Sequence, residues 1–401
     1  MFLSVIVAGG GIGGLTTALC LHKFGHDVTV LEQADTIFEV GAGLQISPNG
    51  MKVLYQLGLD EAVVARGFKP RALEMRLGRS GQQVFDVPLN RASEARWGGP
   101  YVHIHRADLI DILATALEAR APGALITGQT VRGYSQSAKA VRVQVKSGIS
   151  RTADILIGAD GLHSVVREQM LGPDEPRFTG NTAWRAVIPM AALGDLAPPP
   201  TACVWVGRGR HAVTYRLRGG ELANLVGVVE SDEPGAESWS AEGAREQAAR
   251  DCAGWHPIVA NMIDKADTLF RWALYDRAPF RTWTQGRVAL LGDACHPMLP
   301  FAAQGAVMAM EDSWVLAREL SAHPEAPVTA LDRYFKTRMG RASVIQASSH
   351  ANMQTFHKRT AFSQFSTYAP MWLAGKVLPG LIRANRDRVY AYDVTDPGSQ
   401  L

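Results

Sequence analysis

The spacing Gly9-x-Gly11-x-x-Gly14 constrains this chain more than any other feature, because of what stands on either side of it. Residues 2–8 form a short apolar run rich in β-branched side chains, which reads as a buried strand. Residues 15–23 read as a helix. Between them the glycines have separate tasks. Gly9 permits a tight turn, Gly11 lets backbone approach a pyrophosphate, and Gly14 lets the helix pack close to the sheet. Gly13 lies in the same cradle. The helix start offers unpaired N–H groups and a positive dipole end to phosphate. A second strand over 27–31 ends at Glu32, 18 residues after Gly14. There a carboxylate accepts hydrogen bonds from an adenosine ribose and repels a 2′-phosphate. This register predicts a dinucleotide fold and leaves NAD and FAD both open.

Two later segments favour FAD. Residues 153–159 read as a buried strand followed by Asp160-Gly161, with 164–167 opening a helix. Residues 288–291 read as another, closed by Gly292-Asp293. FAD carries a ribityl chain beyond its adenosine end, and Asp293 suits its hydroxyls. Asp160-Gly161 suits a turn that touches the pyrophosphate on one side and admits a nicotinamide on the other. A plain NAD dehydrogenase needs neither segment.

A chain of 401 residues suggests two joined domains, and an apolar fraction of 47% allows a large core. A formal charge of +3 argues against nucleic-acid binding. Cys20, Cys203, Cys252 and Cys295 show no paired spacing, so neither a disulfide framework nor a metal site is expected, and the compartment reads as reducing and cytoplasmic. The N-terminus reads as a strand and not a signal peptide. No window suits a membrane span. Residues 371–382, interrupted by Lys376, Pro379 and Gly380, read as a tail helix packed on the body.

The three glycine segments, His105-Arg106-Ala107-Asp108-Leu109 and the stretch 305–312 together resemble one family across essentially the whole chain. It is that of the single-component, class A FAD-dependent aromatic hydroxylases, in the branch of salicylate hydroxylase, 3-hydroxybenzoate 6-hydroxylase and 6-hydroxynicotinate 3-monooxygenase. The resemblance implies an α/β fold. A Rossmann-like FAD-binding domain of the GR2 type would span 1–70, 98–178 and 270–330. An inserted antiparallel β-sheet substrate domain would span 71–97 and 179–269, with C-terminal helices over 331–401. It also implies a reaction: NAD(P)H, with NADH preferred, reduces the flavin, and O2 adds at C4a. The resulting hydroperoxide passes its outer oxygen to a small phenolic or heteroaromatic acid. A monomer or homodimer is expected.

The resemblance also assigns residues. The turn 300–306, including Gly305 and Ala306, would aim a helix start at the flavin. Arg106 would bind the cofactor near the flavin or pyrophosphate, against the alternative of pairing with Asp108. In the stretch 41–49, Gln45 would lie beside both flavin and substrate. The hydroxynicotinate branch carries histidine at the positions of Gln45 and Phe301, a departure that argues against that substrate. His211 and Tyr215 alternate onto one strand face and would line the ring pocket, His211 as base or hydrogen-bond partner of a phenol. Cys203 would lie nearby without a catalytic role. Pro297 would sit where oxygen reacts, and His296 would be structural or touch the substrate's edge. Arg185 would pair a substrate carboxylate or seat NADH, unless it is a surface arginine on an edge strand. Two other readings share the glycine segments: a tailoring oxygenase or epoxidase for a larger polycyclic or quinone-like metabolite, and a non-catalytic flavin-binding module.

Overall fold

A computed structural model of the chain describes residues 2–37, 42–232, 241–396 and 398. The β-branched run forms strand Ser4–Ala8, and Gly11 N-caps helix Ile12–Lys23. Strand Ser4–Ala8 pairs in parallel with Asp27–Leu31 on one side and Ile155–Gly158 on the other, which pairs in parallel with Val288–Leu290. Thr284–Gln285 and Leu125–Ile126 complete a six-stranded sheet.

The stretch 153–159, expected as one strand, breaks at Asp154. Its carboxylate turns back and accepts hydrogen bonds from the Ser4 N–H and hydroxyl, both at 2.8 Å. Ser150–Ala153 therefore pairs with Val141–Val145 in a small antiparallel sheet, and only Ile155–Gly158 enters the main one.

A second large sheet has seven strands in the order Phe270–Asp276, Arg177–Pro189, Leu222–Glu230, Arg210–Leu217, Ala202–Gly207, Ala72–Leu77 and Gln83–Pro88. Its pairs are antiparallel except Ala202–Gly207 with Ala72–Leu77. The outer strand Phe270–Asp276 comes from a stretch expected to go with the cofactor domain. Side chains alternate along a strand, and residues opposed across a ladder share a face. The register thus puts Trp272, Ala183, Val228 and His211 in one row on one face. Phe270, Arg185, Val226 and Val213 form the next row, and Val187, Asn224 and Tyr215 the third. The other face carries Trp184, Ala186, Trp205, Ala212 and Leu225 into an apolar cluster with Val259 and Met262 of helix Pro257–Lys265.

Four helices close the chain: Gly305–Ala322, Pro327–Phe356, Ala361–Val377 and Pro379–Tyr390. The second ends at Phe356. Thr360 caps the third, exchanging hydrogen bonds with Ser363 in a capping box. The tail helix Ala361–Val377 packs Gly375 on Phe85 but turns Phe362 and Phe365 outward. Among the described residues no helix is long and apolar enough to cross a membrane.

Candidate active site

Leu290, Gly158, Ala8 and Leu31 stand in one line across the six-stranded sheet, at the carboxyl ends of four parallel strands. Each is followed by a segment singled out in the sequence: Gly292-Asp293, Asp160-Gly161, the first glycines, and Glu32. Ligands of open α/β sheets bind in the crevice at such ends.

Backbone contacts join the segments. Gly9 has φ +103°, and a Cβ there would lie 2.5 Å from the Ala159 carbonyl oxygen. On Gly14 it would lie 1.9 Å from the Gly9 carbonyl oxygen, and on Gly13 3.0 Å from Leu291. Gly11 differs: nothing lies within 4 Å of its Cβ position. Backbone here faces open space at a helix N-terminus, the cradle a pyrophosphate needs. Glu32 reaches back to this loop, accepting from the Gly10 N–H at 2.6 Å and the Ala34 N–H at 2.8 Å. Its other lone pairs suit ribose hydroxyls.

Asp160 places its side chain differently from a direct cofactor ligand. Its carboxylate accepts from the Ser164 hydroxyl at 2.5 Å and the Val166 N–H at 3.2 Å, holding the turn into helix Val165–Leu171. Beside it Gly161, at φ +74°, borders open space.

Asp293 is exposed although protein crowds it from most sides, as expected of a residue on the wall of a deep cleft. The crowding raises its carboxyl pKa, while His296, Arg106 and Arg277 pull it back. Gly305 lies against it, its Cβ position 4.0 Å from Asp293 Oδ1. Gly305 and Ala306 begin helix Gly305–Ala322, whose first N–H groups lack intrahelical partners. The flavin-facing turn expected over 300–306 is therefore a helix start beside the ribityl candidate. Arg106 begins helix Arg106–Arg120 and acts electrostatically on Asp293. Asp108 pairs with Arg218 through two bonds of 2.8 Å, which leaves the alternative pairing with Arg106 unsupported.

A buried polar network, unforeseen from the sequence, fixes that helix start. The Gln304 side-chain amide donates to the Ser47 hydroxyl at 2.9 Å, and Asn49 donates to Gln304 at 3.1 Å and to Glu311 at 2.7 Å. Arg341 donates twice to Glu311, at 2.6 and 2.8 Å, and Arg338 bonds Asp312 at 2.7 Å. Burial would raise both carboxyls, but the arginines, joined at Asp312 by His296, outweigh it and lower them. Burial likewise opposes a charge on His296, and the neighbouring Cys295 together with Asp312, at 2.5 Å, overrides it. His296 is thus structural. Cys295, His296 and Asp312 cluster at metal-ligand spacing, but both Asp312 oxygens are already occupied, by Arg338 and by His296.

The structure brings together several of the residues expected on the substrate side. Phe301 is buried, with its ring centroid 5.1 Å from that of His211. Pro297 is buried nearby in sequence, its carbonyl accepting from Gln346 at 2.8 Å. The Tyr215 ring packs 4.8 Å from His103, and a Cβ on Gly43 would lie 2.4 Å from it. Strand Gly43–Ile46 therefore lies against the third row of the sheet, with the Gly43 N–H donating to Asn224 at 2.9 Å. Gln45 accepts from Tyr101 at 2.7 Å. Gly41 lies outside the described residues. Arg185 is neither on an edge strand nor at the surface. It is 6% exposed on an interior strand, its guanidinium 5.1 Å from the Trp272 ring. Cys203, expected near the pocket, faces the opposite side, in the cluster with Trp205 and Ala212. Two surface clefts, one between Arg245 and Asp264 and one between Lys52 and Asp393, lie apart from the glycine segments.

Converged strand ends, a pyrophosphate cradle and a carboxylate beside a helix start define an FAD-binding protein. A family model described as FAD binding domain matches residues 3–349. The chain belongs to that family, in its group of single-component FAD-dependent aromatic hydroxylases. It is 38% identical over 357 residues to 3-hydroxybenzoate 6-hydroxylase of Polaromonas naphthalenivorans, covering 88% of each chain. It is 37% identical over 353 residues to 3-amino-4-hydroxybenzoate 2-monooxygenase PtnB3 of Streptomyces platensis, again covering 88% of each. Its structure is similar to Klebsiella pneumoniae HpxO complexed with FAD and uric acid, with a TM-score of 0.83 and 28% identity over 95% of this chain and 96% of that one. It is also similar to a salicylate hydroxylase substrate complex, with a TM-score of 0.80 and 26% identity over 98% of this chain. The protein is an FAD-dependent monooxygenase.

Proposed function

We propose that this enzyme hydroxylates a small phenolic acid, using NADH as electron donor and O2 as oxygen source. The observation that carries the reading is the sheet register. It places His211, Arg185 and Tyr215 on the one face that meets Phe301 and strand Gly43–Ile46. His211 and Arg185 stand two strands and one row apart, about 12 Å by ordinary strand geometry. Their side chains can thus grip the two ends of one substituted benzene ring. Arg185 supplies a fork for a carboxylate. His211, kept neutral by burial, accepts a proton from the ring hydroxyl and so raises the electron density of the carbon to be attacked. Tyr215, held by Gly43 and Asn224, fixes the ring between them.

The bound FAD would supply electron transfer and oxygen activation. Asp293, Glu32, Arg106 and the Gly11 backbone would hold it, Asp160 would shape its turn, and Gln45 and Pro297 would border its reacting edge. In this reading 1–70, 98–176 and 277–330 serve the cofactor and 71–97 and 177–276, which take in strand Phe270–Asp276, cover the substrate, with 331–401 packed behind. The enzyme acts in the cytoplasm as a monomer or homodimer. The relatives that act on 3-hydroxybenzoate and 3-amino-4-hydroxybenzoate support a benzoate ring. Phe301 and Gln45, in place of the histidines of the hydroxynicotinate branch, favour it over a pyridine.

The test is a screen of hydroxybenzoates for compounds that accelerate NADH oxidation, followed by identification of the product. A hydroxybenzoate that yields a further hydroxylated product is the expected result. Acceleration only by polycyclic compounds would replace this reading with the tailoring-oxygenase one.

A further inference from the structure

Behind His211 stands a second histidine. His211 Nδ1 lies 2.7 Å from His357 Nε2, and the two ring centroids are 5.0 Å apart. His357 Nδ1 lies 3.7 Å from Glu230 Oε1, and Arg359 Nε lies 2.9 Å from Glu230 Oε2. Exposure rises along this line. His211 is 2% exposed, and the side chains of His357, Glu230 and Arg359 are 4%, 31% and 76% exposed. The row thus leads from the pocket wall to solvent.

A neutral imidazole has one N–H and one lone pair. If His211 Nε2 is to accept a phenolic proton, its Nδ1 carries hydrogen and donates to His357 Nε2. His357 then carries its hydrogen on Nδ1, toward Glu230. One orientation therefore satisfies the whole row and points every proton outward. The surroundings explain why a row is needed. Phe301 and Phe356 pack on the His211 ring, each at 5.1 Å, and burial with the neighbouring His357 holds its pKa well below 6.5. Burial also lowers His357, to about 4, with Glu230 raising and Arg359 lowering it. A proton left on His211 would be a buried cation in an apolar shell, which is costly. A base so placed works only if it passes the proton on.

We propose that His211, His357 and Glu230 form a proton path carrying the substrate's phenolic proton from the pocket to solvent, with Arg359 positioning Glu230 at its exit. This rests on the reading of the pocket as a phenol site. The O–H bond breaks as its proton joins His211 Nε2. The Nδ1 proton of His211 passes to His357 Nε2, and the Nδ1 proton of His357 leaves through Glu230 once a small side-chain movement closes the 3.7 Å between them to hydrogen-bond distance. Both rings end neutral with tautomers switched, the substrate ends as phenolate, one proton reaches solvent, and no electrons move. Reverse passage returns a proton to the product and resets the rings. His357 and Glu230 are positioning and relay residues, whereas His211 touches the substrate.

The experiment uses the oxidised, FAD-loaded enzyme without NADH, so no turnover occurs. The probe is 4-hydroxy-3-nitrobenzoate, whose phenolate absorbs visible light. After a stopped-flow pH jump, the rate of colour change of the bound probe reports proton exit. His357→Phe and Glu230→Gln should each slow it by about tenfold or more. Probe affinity at low pH and flavin content should stay as in the wild type. Glu230→Asp should recover most of the rate, which a merely structural role would not produce. His357→Gln serves if the phenylalanine variant fails to fold. A probe that binds and ionises equally fast in all variants overturns the path while leaving the phenol site intact. A probe that leaves the flavin spectrum unchanged, so does not bind, overturns both.

Discussion

Single glycines separate folding from cofactor binding. Gly14→Ala would press a methyl between backbone atoms, 1.9 Å from the Gly9 carbonyl oxygen, and neither strand nor helix can retreat. It should abolish soluble folded protein or lower Tm by many degrees. Gly11→Ala meets nothing within 4 Å at an ordinary φ of −74°. Tm of flavin-free protein should hold, while FAD affinity falls about tenfold to a hundredfold as the methyl takes the phosphate's place. Calorimetry of apoprotein and flavin titration check both. Asp293→Ala removes the carboxylate beside the helix start and should weaken FAD binding by about tenfold or more. Full flavin absorbance after gel filtration would contradict that role. These residues were legible because their tasks depend on local geometry: a turn, a helix cap, a strand end. His357 was not legible, since its meaning comes from His211, 146 residues earlier.

At the scale of elements, helix Gly305–Ala322 aims its start at the cleft only because helix Pro327–Phe356 grips it through Arg338 and Arg341. A buried ion pair adds little when whole and costs much when half removed. Arg341→Met should therefore destabilise by about 3 kcal/mol in urea unfolding. Replacing Glu311 by Leu in the same chain should recover part of that loss, and failure of any recovery would mean that packing, not charge, sets the cost. The stretch 300–306 was readable as a loop entering a helix. The partners that hold it were not, because arginines at 338 and 341 on an otherwise polar helix look like solvent-facing charge. The seven-stranded sheet teaches the same lesson: alternation put His211 and Tyr215 on one face, but Arg185 could be read equally as a ligand contact or an edge residue until strand Phe270–Asp276 paired outside it.

Taken as a whole, the molecule buries neutral histidines and charged carboxylates together, and both make it acid-sensitive. His103 titrates at about 3 and His357 at about 4, against 6.5 for an ordinary histidine. Below pH 6.5 the unfolded chain takes up these protons and the folded one does not. Stability is thus full above 6.5 and falls by about 1.4 kcal/mol per pH unit for each group as the pH drops toward 4. Glu311, held low by Arg338 and Arg341, and Asp312, held low by His296 and Arg338, lose their contribution in the same direction at lower pH. Thermal melts from pH 7 to 4.5 should show a steadily falling Tm, with a shallower slope for His357→Gln. A flat profile would mean that these rings are hydrated in the folded state. The sequence by itself determined the α/β class and the cofactor cradle, because glycines, caps and strand ends act through the backbone within a few residues, and the same motifs marked the enzyme family by resemblance. Only the tertiary structure decided which charges are buried, which sheet face meets the cleft and where a proton leaves the pocket. Those depend on distances between side chains that the chain brings together from far apart.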